Sequence, residues 1–216
     1  MHPLHYGAKA AIPKFLVIFF HGFGANGDNL LDLAHYLPIV PEAVFVSPNA
    51  FMPIAHYPGG YQWFPLNDDL NSNDLKRECA KVLDQGSALV HSLQKQYNIP
   101  PERTFFIGFS QGTMMSLSIA LSNENICGGT IGCSGGLYMD ESLIKASCDL
   151  PVHLIHGEWD EVVDAKESKT TVDFLKSFGF APTLTLIPKL GHSIDDRALK
   201  DIGIALDQMI KGKQHA

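Results

Sequence analysis

Six short runs of apolar residues constrain the fold of this chain more than any other feature. They are rich in β-branched and aromatic residues and lie at Phe15–Phe20, Ala43–Val46, Arg103–Phe109, Gly129–Cys133, Val152–Ile155 and Thr183–Ile187. Runs that stay apolar throughout, rather than alternating with polar residues, are typical of strands buried on both faces of a parallel sheet. Because helical patterns separate most of these runs, the sequence predicts an α/β domain with a mostly parallel sheet.

Apolar residues recur at helical spacing between the runs. One long stripe extends from Leu75 to Tyr97 and ends before Pro100 and Pro101, where a helix cannot continue. Further helices are predicted at 29–37, 111–121, 164–178 and 194–210. The stretch between Ser47 and Asn73 lacks this period. Its many aromatic residues predict a long but ordered loop.

Length and charge exclude several classes of protein. The 216 residues suffice for one domain with a substantial core, so residues 1–216 are expected to form a single domain. The net charge is −7 and no run of five Lys or Arg residues occurs, which argues against a nucleic-acid partner. The longest apolar run is far shorter than the roughly 20 residues needed to span a bilayer, and the N-terminal segment lacks the apolar region of a secretory leader. The sequence therefore predicts a cytoplasmic protein without an integral membrane segment.

The cysteines and histidines do not form a recognisable metal-binding pattern. The four cysteines include no C-x-x-C pair and are expected to be structural, buried thiols rather than a disulfide framework. His153 and His156 form H-x-x-H, but residues three apart in a strand point to opposite faces and cannot bind one ion. No metal or cofactor is therefore predicted.

A nucleophile motif follows the third apolar run. Gly108-Phe109-Ser110-Gln111-Gly112 is G-x-S-x-G between a predicted strand and a predicted helix. A nucleophile elbow requires this context, because its sharp turn exposes the serine hydroxyl above the sheet. The N-terminus of the following helix adds backbone N–H groups and the positive end of its dipole. Ser110 is therefore the predicted nucleophile.

A serine hydroxyl needs a base that removes its proton, and the chain supplies candidates after two later strands. For this type of elbow, an acid and then a histidine follow the serine along the chain. Asp160 and His192 each follow a predicted strand, so both should meet Ser110 at one edge of the sheet. Asp164 is the alternative acid, but it lies where the next helix begins and is better explained as an N-cap.

The segment HGFGANG, residues 21–27, follows the first apolar run and has two interpretations. Gly22, Gly24 and Gly27 match G-x-G-x-x-G, the turn that holds the pyrophosphate of a dinucleotide. That site needs an acidic residue at the end of the second strand, and the strand end FVSPNA contains none. Starting from His21, the segment reads H-G-x-G, a pattern that can begin the loop whose backbone N–H forms part of an oxyanion hole. A dinucleotide-binding oxidoreductase is therefore the weaker alternative.

Together these motifs resemble the phospholipase/carboxylesterase family of α/β-hydrolases, which includes the acyl-protein thioesterases. The resemblance spans residues 19–196 and rests on FFHGFGANGDNL, GGYQWFPL, FIGFSQGTMMSL, HGEWDEVVD and GHSIDD. The forms GFGANGDNL and GYQWFPL are closer to the bacterial carboxylesterases than to the animal thioesterases. The resemblance implies an α/β-hydrolase fold without a large lid domain and a triad of Ser110, Asp160 and His192. It also implies an oxyanion hole formed by the backbone N–H groups of Phe23 and Gln111.

The activity implied by the resemblance is that of a serine hydrolase acting through an acyl-enzyme intermediate. Its substrate would be a small carboxylic ester, a thioester or a lysophospholipid, and the sequence leaves open whether the chain forms a homodimer. We predict that Tyr61, Trp63, Phe64 and Leu137 line the acyl groove, because clusters of accessible aromatic residues often mark binding sites. They could instead pack a satellite core under the loop. A non-catalytic protein of the same fold is the other alternative, although such a protein would usually have lost a member of the triad.

Overall fold

The computed structural model describes residues 4–6, 13–37, 42–66 and 71–214, and a seven-stranded sheet forms its centre. The strands of this sheet are β1 (Leu4–Tyr6), β2 (Phe15–Phe20), β3 (Ala43–Ser47), β6 (Thr104–Phe109), β7 (Gly129–Cys133), β8 (Val152–Gly157) and β9 (Thr183–Ile187). Between β3 and β6 in the chain, β4 (Met52–Pro53) and β5 (Tyr61–Gln62) form a separate antiparallel pair. The order across the main sheet is β1-β3-β2-β6-β7-β8-β9, and every pair is parallel except β1 with β3.

Within the described residues, six α-helices cover the two faces of this sheet. They are α1 (Asp28–Leu31), α2 (Ser72–Lys81), α3 (Leu83–Tyr97), α4 (Gln111–Ser122), α5 (Lys166–Ser177) and α6 (Asp196–Gln214). Buried residues of α2, α3, α4 and α5 share one apolar cluster, while those of α1 and α6 share a second cluster. The predicted α/β fold, with a mostly parallel sheet flanked by helices, is confirmed.

Strand β2 shows why the apolar runs are continuous. Leu16, Ile18 and Phe20 belong to the first cluster, whereas Phe15, Val17 and Phe19 belong to the second. Successive side chains of a strand point to opposite faces, so a strand covered on both sides needs an apolar residue at every position. The same reasoning explains why these runs predict strands so well, since a surface strand would show polar residues at alternate positions.

Two predicted helices differ in detail from the structure. The stripe at 75–97 is divided into α2 and α3 at Val82, whose backbone has φ −110° and ψ 2°. There the N–H of Val82 donates to Cys79 O, three residues back, and the tightened turn keeps both residues buried. The predicted helix at 29–37 is a single α-helical turn, α1, that continues as a 3₁₀ helix at Asp32–Tyr36.

The cysteines lie among the described residues, where none of them is joined in a disulfide. Three are buried as predicted, but Cys148 is exposed. Burial raises the pKa of Cys79 to about 11 and, together with the charge of Asp201, that of Cys133 to about 12. Both thiols therefore stay protonated near neutral pH. Within the described part of the chain, no helix combines the length and the apolar character needed to cross a membrane.

Candidate active site

Ser110 lies at the turn between β6 and α4, at the edge of the sheet where the parallel strands end. Its backbone has φ 55° and ψ −119°, an uncommon conformation for a residue with a side chain. The N–H of Ser110 donates to Cys133 O at 2.9 Å, and its carbonyl accepts the N–H groups of Thr113 and Met114. These bonds hold the strained residue in place, as expected for the elbow that the G-x-S-x-G motif predicts.

The two glycines of the motif allow an unusually close approach of α4 to the sheet. A Cβ atom on Gly112 would lie 1.8 Å from Phe20 O, and one on Gly108 would lie 2.5 Å from Gly112 O. Both clashes involve backbone atoms, which cannot rotate away as a side chain could. The motif therefore sets the position of the first turn of α4, and with it the backbone that follows Ser110.

Asp160 and His192 come together from the loops that follow β8 and β9. His192 Nδ1 donates to Asp160 Oδ2 at 2.8 Å. The other carboxylate oxygen, Oδ1, accepts the N–H groups of Val162 and Val163 at 3.0 and 2.9 Å. The Asp160 side chain is fully buried, whereas 17% of the His192 side chain remains exposed. Asp164, the alternative acid, is exposed, and its side chain accepts the N–H of Lys166 at the start of α5.

The surroundings of Asp160 keep its carboxylate ionised. Burial by itself raises the pKa of this carboxyl, because a charge is less stable away from water. Hydrogen bonds from Val163 N–H, from the His192 ring and from Val162 N–H outweigh that effect and hold the pKa below its ordinary value. The ionised carboxylate accepts the hydrogen of His192 Nδ1, which leaves Nε2 as the nitrogen able to accept another proton.

The loop between β2 and α1 lies directly against the elbow. A Cβ on Gly22 would lie 3.4 Å from the Cβ of Ser110, and Phe23 lines the same cavity as Ser110. Within the described residues, the backbone N–H groups of Phe23 and Gln111 donate to no protein acceptor. Two N–H groups beside a nucleophile and without acceptors are the donors that an oxyanion hole requires.

The side chain of His21 fixes this loop, a role that the sequence did not indicate. Its Nε2 accepts the N–H of Ala50 at 3.0 Å, and its Nδ1 lies 2.8 Å from Gly22 O. Because a backbone N–H can only donate, Nε2 carries no hydrogen and Nδ1–H donates to Gly22 O. Burial lowers the pKa of His21, which favours this neutral ring. Trp63 Nε1 also donates to His21 O at 2.8 Å.

The structure corrects the predicted role of two aromatic residues. Trp63 and Phe64 are fully buried, so neither lines a substrate groove. Instead, the N–H of Trp63 donates to Gln111 Oε1 at 3.0 Å, and Gln111 Nε2 donates to Phe64 O at 2.8 Å. Through these bonds and the bond from Trp63 Nε1 to His21 O, the pair ties the loop of residues 21–27 to Gln111, the first residue of α4. An aromatic-rich segment can either line a groove or pack into a small separate core under the loop. The burial of Trp63 and Phe64 shows the second arrangement for these two residues.

A cavity of about 390 Å³ lies beside Ser110 and His192. Its apolar lining comes from α1, the adjoining 3₁₀ helix and the residues next to the proposed reactive groups, and includes Phe23, Leu30, Leu33, Phe109 and Ile194. Tyr61 and Leu137 are half-buried and lie outside this lining. Leu30 and Leu33 have the helical spacing of any core-facing residues, so no local pattern distinguishes them as cavity residues.

Comparison with known proteins identifies the family to which this chain is similar. The model of the phospholipase/carboxylesterase family matches residues 8–210. The chain is 31% identical to esterase YpfH of Escherichia coli (strain K12), over 90% of this chain and 81% of that protein. It is 30% identical to acyl-protein thioesterase 1 of Eremothecium gossypii, over 92% and 89% of the two chains. The structure is similar to the crystal structure of esterase PE8, with a TM-score of 0.89, 29% identity and coverage of 96% and 98%.

Proposed function

Because the chain belongs to the phospholipase/carboxylesterase family, we propose that Ser110, Asp160 and His192 form the catalytic triad of a serine hydrolase. Family membership makes the chain an enzyme of the carboxylesterase and acyl-thioesterase type. The observation that carries the proposal is the 2.8 Å bond from His192 Nδ1 to Asp160, because His192 lines the same cavity as Ser110. The dinucleotide interpretation of residues 21–27 is set aside, because this family consists of hydrolases.

In the first half of the proposed reaction, Ser110 Oγ attacks the carbonyl carbon of the bound ester or thioester. His192 Nε2 takes the hydroxyl proton, and the buried Asp160 carboxylate stabilises the resulting imidazolium. The carbonyl oxygen becomes an anion that accepts hydrogen bonds from the N–H groups of Phe23 and Gln111. One such donor is typically worth about 10²–10³ in kcat.

The second half of the reaction returns the enzyme to its starting state. When the tetrahedral intermediate collapses, the bond to the alcohol or thiol breaks, and the leaving group takes the proton from His192. Water then attacks the acyl group on Ser110 and gives a proton to His192 Nε2. The bond from the acyl carbon to Ser110 Oγ breaks, Oγ takes that proton back from His192, and the carboxylic acid is released. Ester and thioester differ only in the leaving atom, so the same residues serve both reactions.

An alkyl acyl group is the substrate portion that the cavity fits best. Leu30, Leu33, Phe109 and Ile194 supply an apolar wall beside Ser110, and apolar walls with a few polar groups are typical of small-molecule sites. We propose that the acyl chain lies against this wall while the leaving group points toward solvent. The acyl specificity would therefore be set by the helical segment that follows residues 21–27, which is α1 and the adjoining 3₁₀ helix.

Covalent labelling tests the nucleophile. A fluorophosphonate is expected to form one adduct, on Ser110, because the activated hydroxyl attacks phosphorus and fluoride leaves. Peptide mass spectrometry locates the adduct, and His192→Ala is expected to slow the labelling at least about a thousandfold, since it removes the base. An adduct on Ser193, which lines the same cavity, or equal labelling of several serines would contradict the assignment.

A second experiment tests the acyl wall. Leu33→Trp is expected to lower kcat/KM for p-nitrophenyl octanoate by about 10-fold or more, with a much smaller effect on the acetate, because the larger ring fills space that only the longer chain needs. Leu137→Trp serves as the matched control, since Leu137 lies outside the cavity. If Leu137→Trp changed the chain-length profile and Leu33→Trp did not, the groove would lie on the other side of Ser110.

A further inference from the structure

His156 is a buried histidine outside the proposed triad that contacts the triad's carboxylate. It belongs to β8 and is fully buried. Its Nε2 lies 2.9 Å from Val163 O and 3.2 Å from Asp160 Oδ2. A backbone carbonyl and an ionised carboxylate can only accept hydrogen bonds, so Nε2 must carry a hydrogen.

Helix α5 fixes the other side of the same ring. His156 Nδ1 lies 2.7 Å from Ser168 Oγ, which in turn lies 2.6 Å from Gly135 O. Ser168 is fully buried as well. Its hydroxyl contacts the ring and a carbonyl at once, so the ring is held on both edges and has no room to swing away from Asp160.

The carboxylate of Asp160 thus accepts hydrogen bonds from three N–H donors and also lies against the N–H of His156. Oδ1 accepts from Val162 and Val163, and Oδ2 accepts from His192 and faces His156. Val163 is held at both of its backbone groups, since its N–H donates to Asp160 and its carbonyl faces His156. Rotation of the Asp160 carboxylate about the Cβ–Cγ bond would break several of these contacts.

We propose that His156 is a positioning residue. Its Nε2–H donates to Val163 O and faces Asp160 Oδ2, and these contacts fix the plane of the Asp160 carboxylate and so orient His192. The inference rests on the proposed triad, because it concerns how that triad is held. His156 is fully buried and reaches the reaction only through Asp160. Misplacing a reacting group by about 1 Å can cost about 10²-fold in rate, so the contact is expected to affect kcat rather than substrate binding.

Strand β8 also provides a matched control for this proposal. His153 is a buried histidine on the opposite face, where Nε2 lies 2.9 Å from Asp201 and Nδ1 lies 2.7 Å from Thr183 Oγ1. It therefore makes the same kinds of contact with a carboxylate and a hydroxyl, but with α6 and β9 instead of the triad. A purely structural effect of losing a buried histidine should appear at both positions.

Two amide substitutions test the roles of the two ring nitrogens of His156 separately. Glutamine can place a donor near the position of Nε2, whereas asparagine can place one only near Nδ1. We expect His156→Asn to lower kcat about 10- to 100-fold with KM changed less than about twofold, and His156→Gln to recover most of that loss. His153→Asn is expected to lower the midpoint of thermal unfolding while leaving kcat within about twofold of the parent.

Nuclear magnetic resonance of the unsubstituted protein provides a second measurement that needs no variant to fold. With ¹⁵N-labelled histidine, a hydrogen on Nε2 of His156 is expected, and its absence would overturn the proposal. In His156→Asn, the low-field Nδ1–H signal of His192 is expected to shift or broaden, which it should not do in His153→Asn.

The outcomes also distinguish this inference from the proposal on which it rests. If Ser110→Ala retained activity, the triad itself would be wrong. If Ser110→Ala abolished activity but His156→Asn kept the parent's kcat, the triad would stand and the positioning role of His156 would be disproved.

Discussion

Ser110→Ala is expected to lower kcat for ester hydrolysis by about a millionfold, because loss of a triad serine removes the only route through an acyl-enzyme. The residual rate would come from the oxyanion N–H groups and substrate binding, which remain in place. The substitution removes one oxygen at a strained turn whose backbone bonds to Cys133, Thr113 and Met114 are unaffected. The stability should therefore change little, and kcat with p-nitrophenyl esters measures the effect directly.

Ser122→Ala is the control for this prediction. Ser122 ends the same helix that Ser110 precedes, and its hydroxyl donates to Ile119 O away from the cavity. This variant is expected to keep the activity of the parent. If Ser110→Ala retained a large share of the activity, the nucleophile assignment would be wrong. If the parent cleaved neither esters nor thioesters, the non-catalytic alternative would replace the proposed function.

Six strands, β2, β3 and β6 to β9, could be predicted to within two residues because each is covered on both faces, whereas the short strands β1, β4 and β5 were not predicted. A position in β2 or β6 must be apolar whichever face it occupies, so the run marks both the strand and its burial. The break between α2 and α3 was missed for the opposite reason. Val82 keeps the apolar period of the stripe, and only its backbone dihedral angles reveal the tightened turn.

The proposed triad could be predicted from sequence because each residue follows a strand at the same edge of the sheet. Chain order and strand ends are local features, and topology brings them together without knowledge of side-chain contacts. The hydrogen bonds that hold the surrounding loops in place could not be predicted in this way. His21 meets Ala50, and Gln111 meets Trp63 and Phe64, through bonds that span distant parts of the chain and have no spacing rule.

For His156, the sequence likewise indicates its position in the strand but not its contacts with distant residues. Its position four residues before Asp160 is visible in the sequence, and the alternation of strand faces separates it correctly from His153. Its contacts with Asp160 and Ser168 depend on how the loop after β8 folds back over the strand end. The sequence predicted that His153 and His156 lie on opposite faces and cannot bind one metal ion, but it could not predict that each would lie against an aspartate.

Gly112→Ala is expected to destabilise the fold by more than about 3 kcal/mol, the largest effect on stability among these substitutions. The new Cβ would lie 1.8 Å from Phe20 O, 2.4 Å from Phe20 C and 2.7 Å from His21 O. All three neighbours are backbone atoms of β2 and of the residue that follows it, His21, so relief requires α4 to move away from β2. That movement would separate the N–H of Gln111 from that of Phe23, and kcat of the remaining folded protein should fall as well.

Gly212→Ala provides the comparison, since Gly212 lies in α6 and a Cβ there would have no neighbour within 4 Å. Alanine is up to about 1 kcal/mol more favourable than glycine inside a helix, so this variant should be slightly more stable than the parent. Urea unfolding measures both changes on one scale. A Gly112→Ala protein as stable as Gly212→Ala would mean that α4 does not approach β2 so closely, and the elbow would then need another explanation. A destabilised Gly112→Ala with a normal kcat would instead separate the packing of the elbow from the geometry of the oxyanion hole.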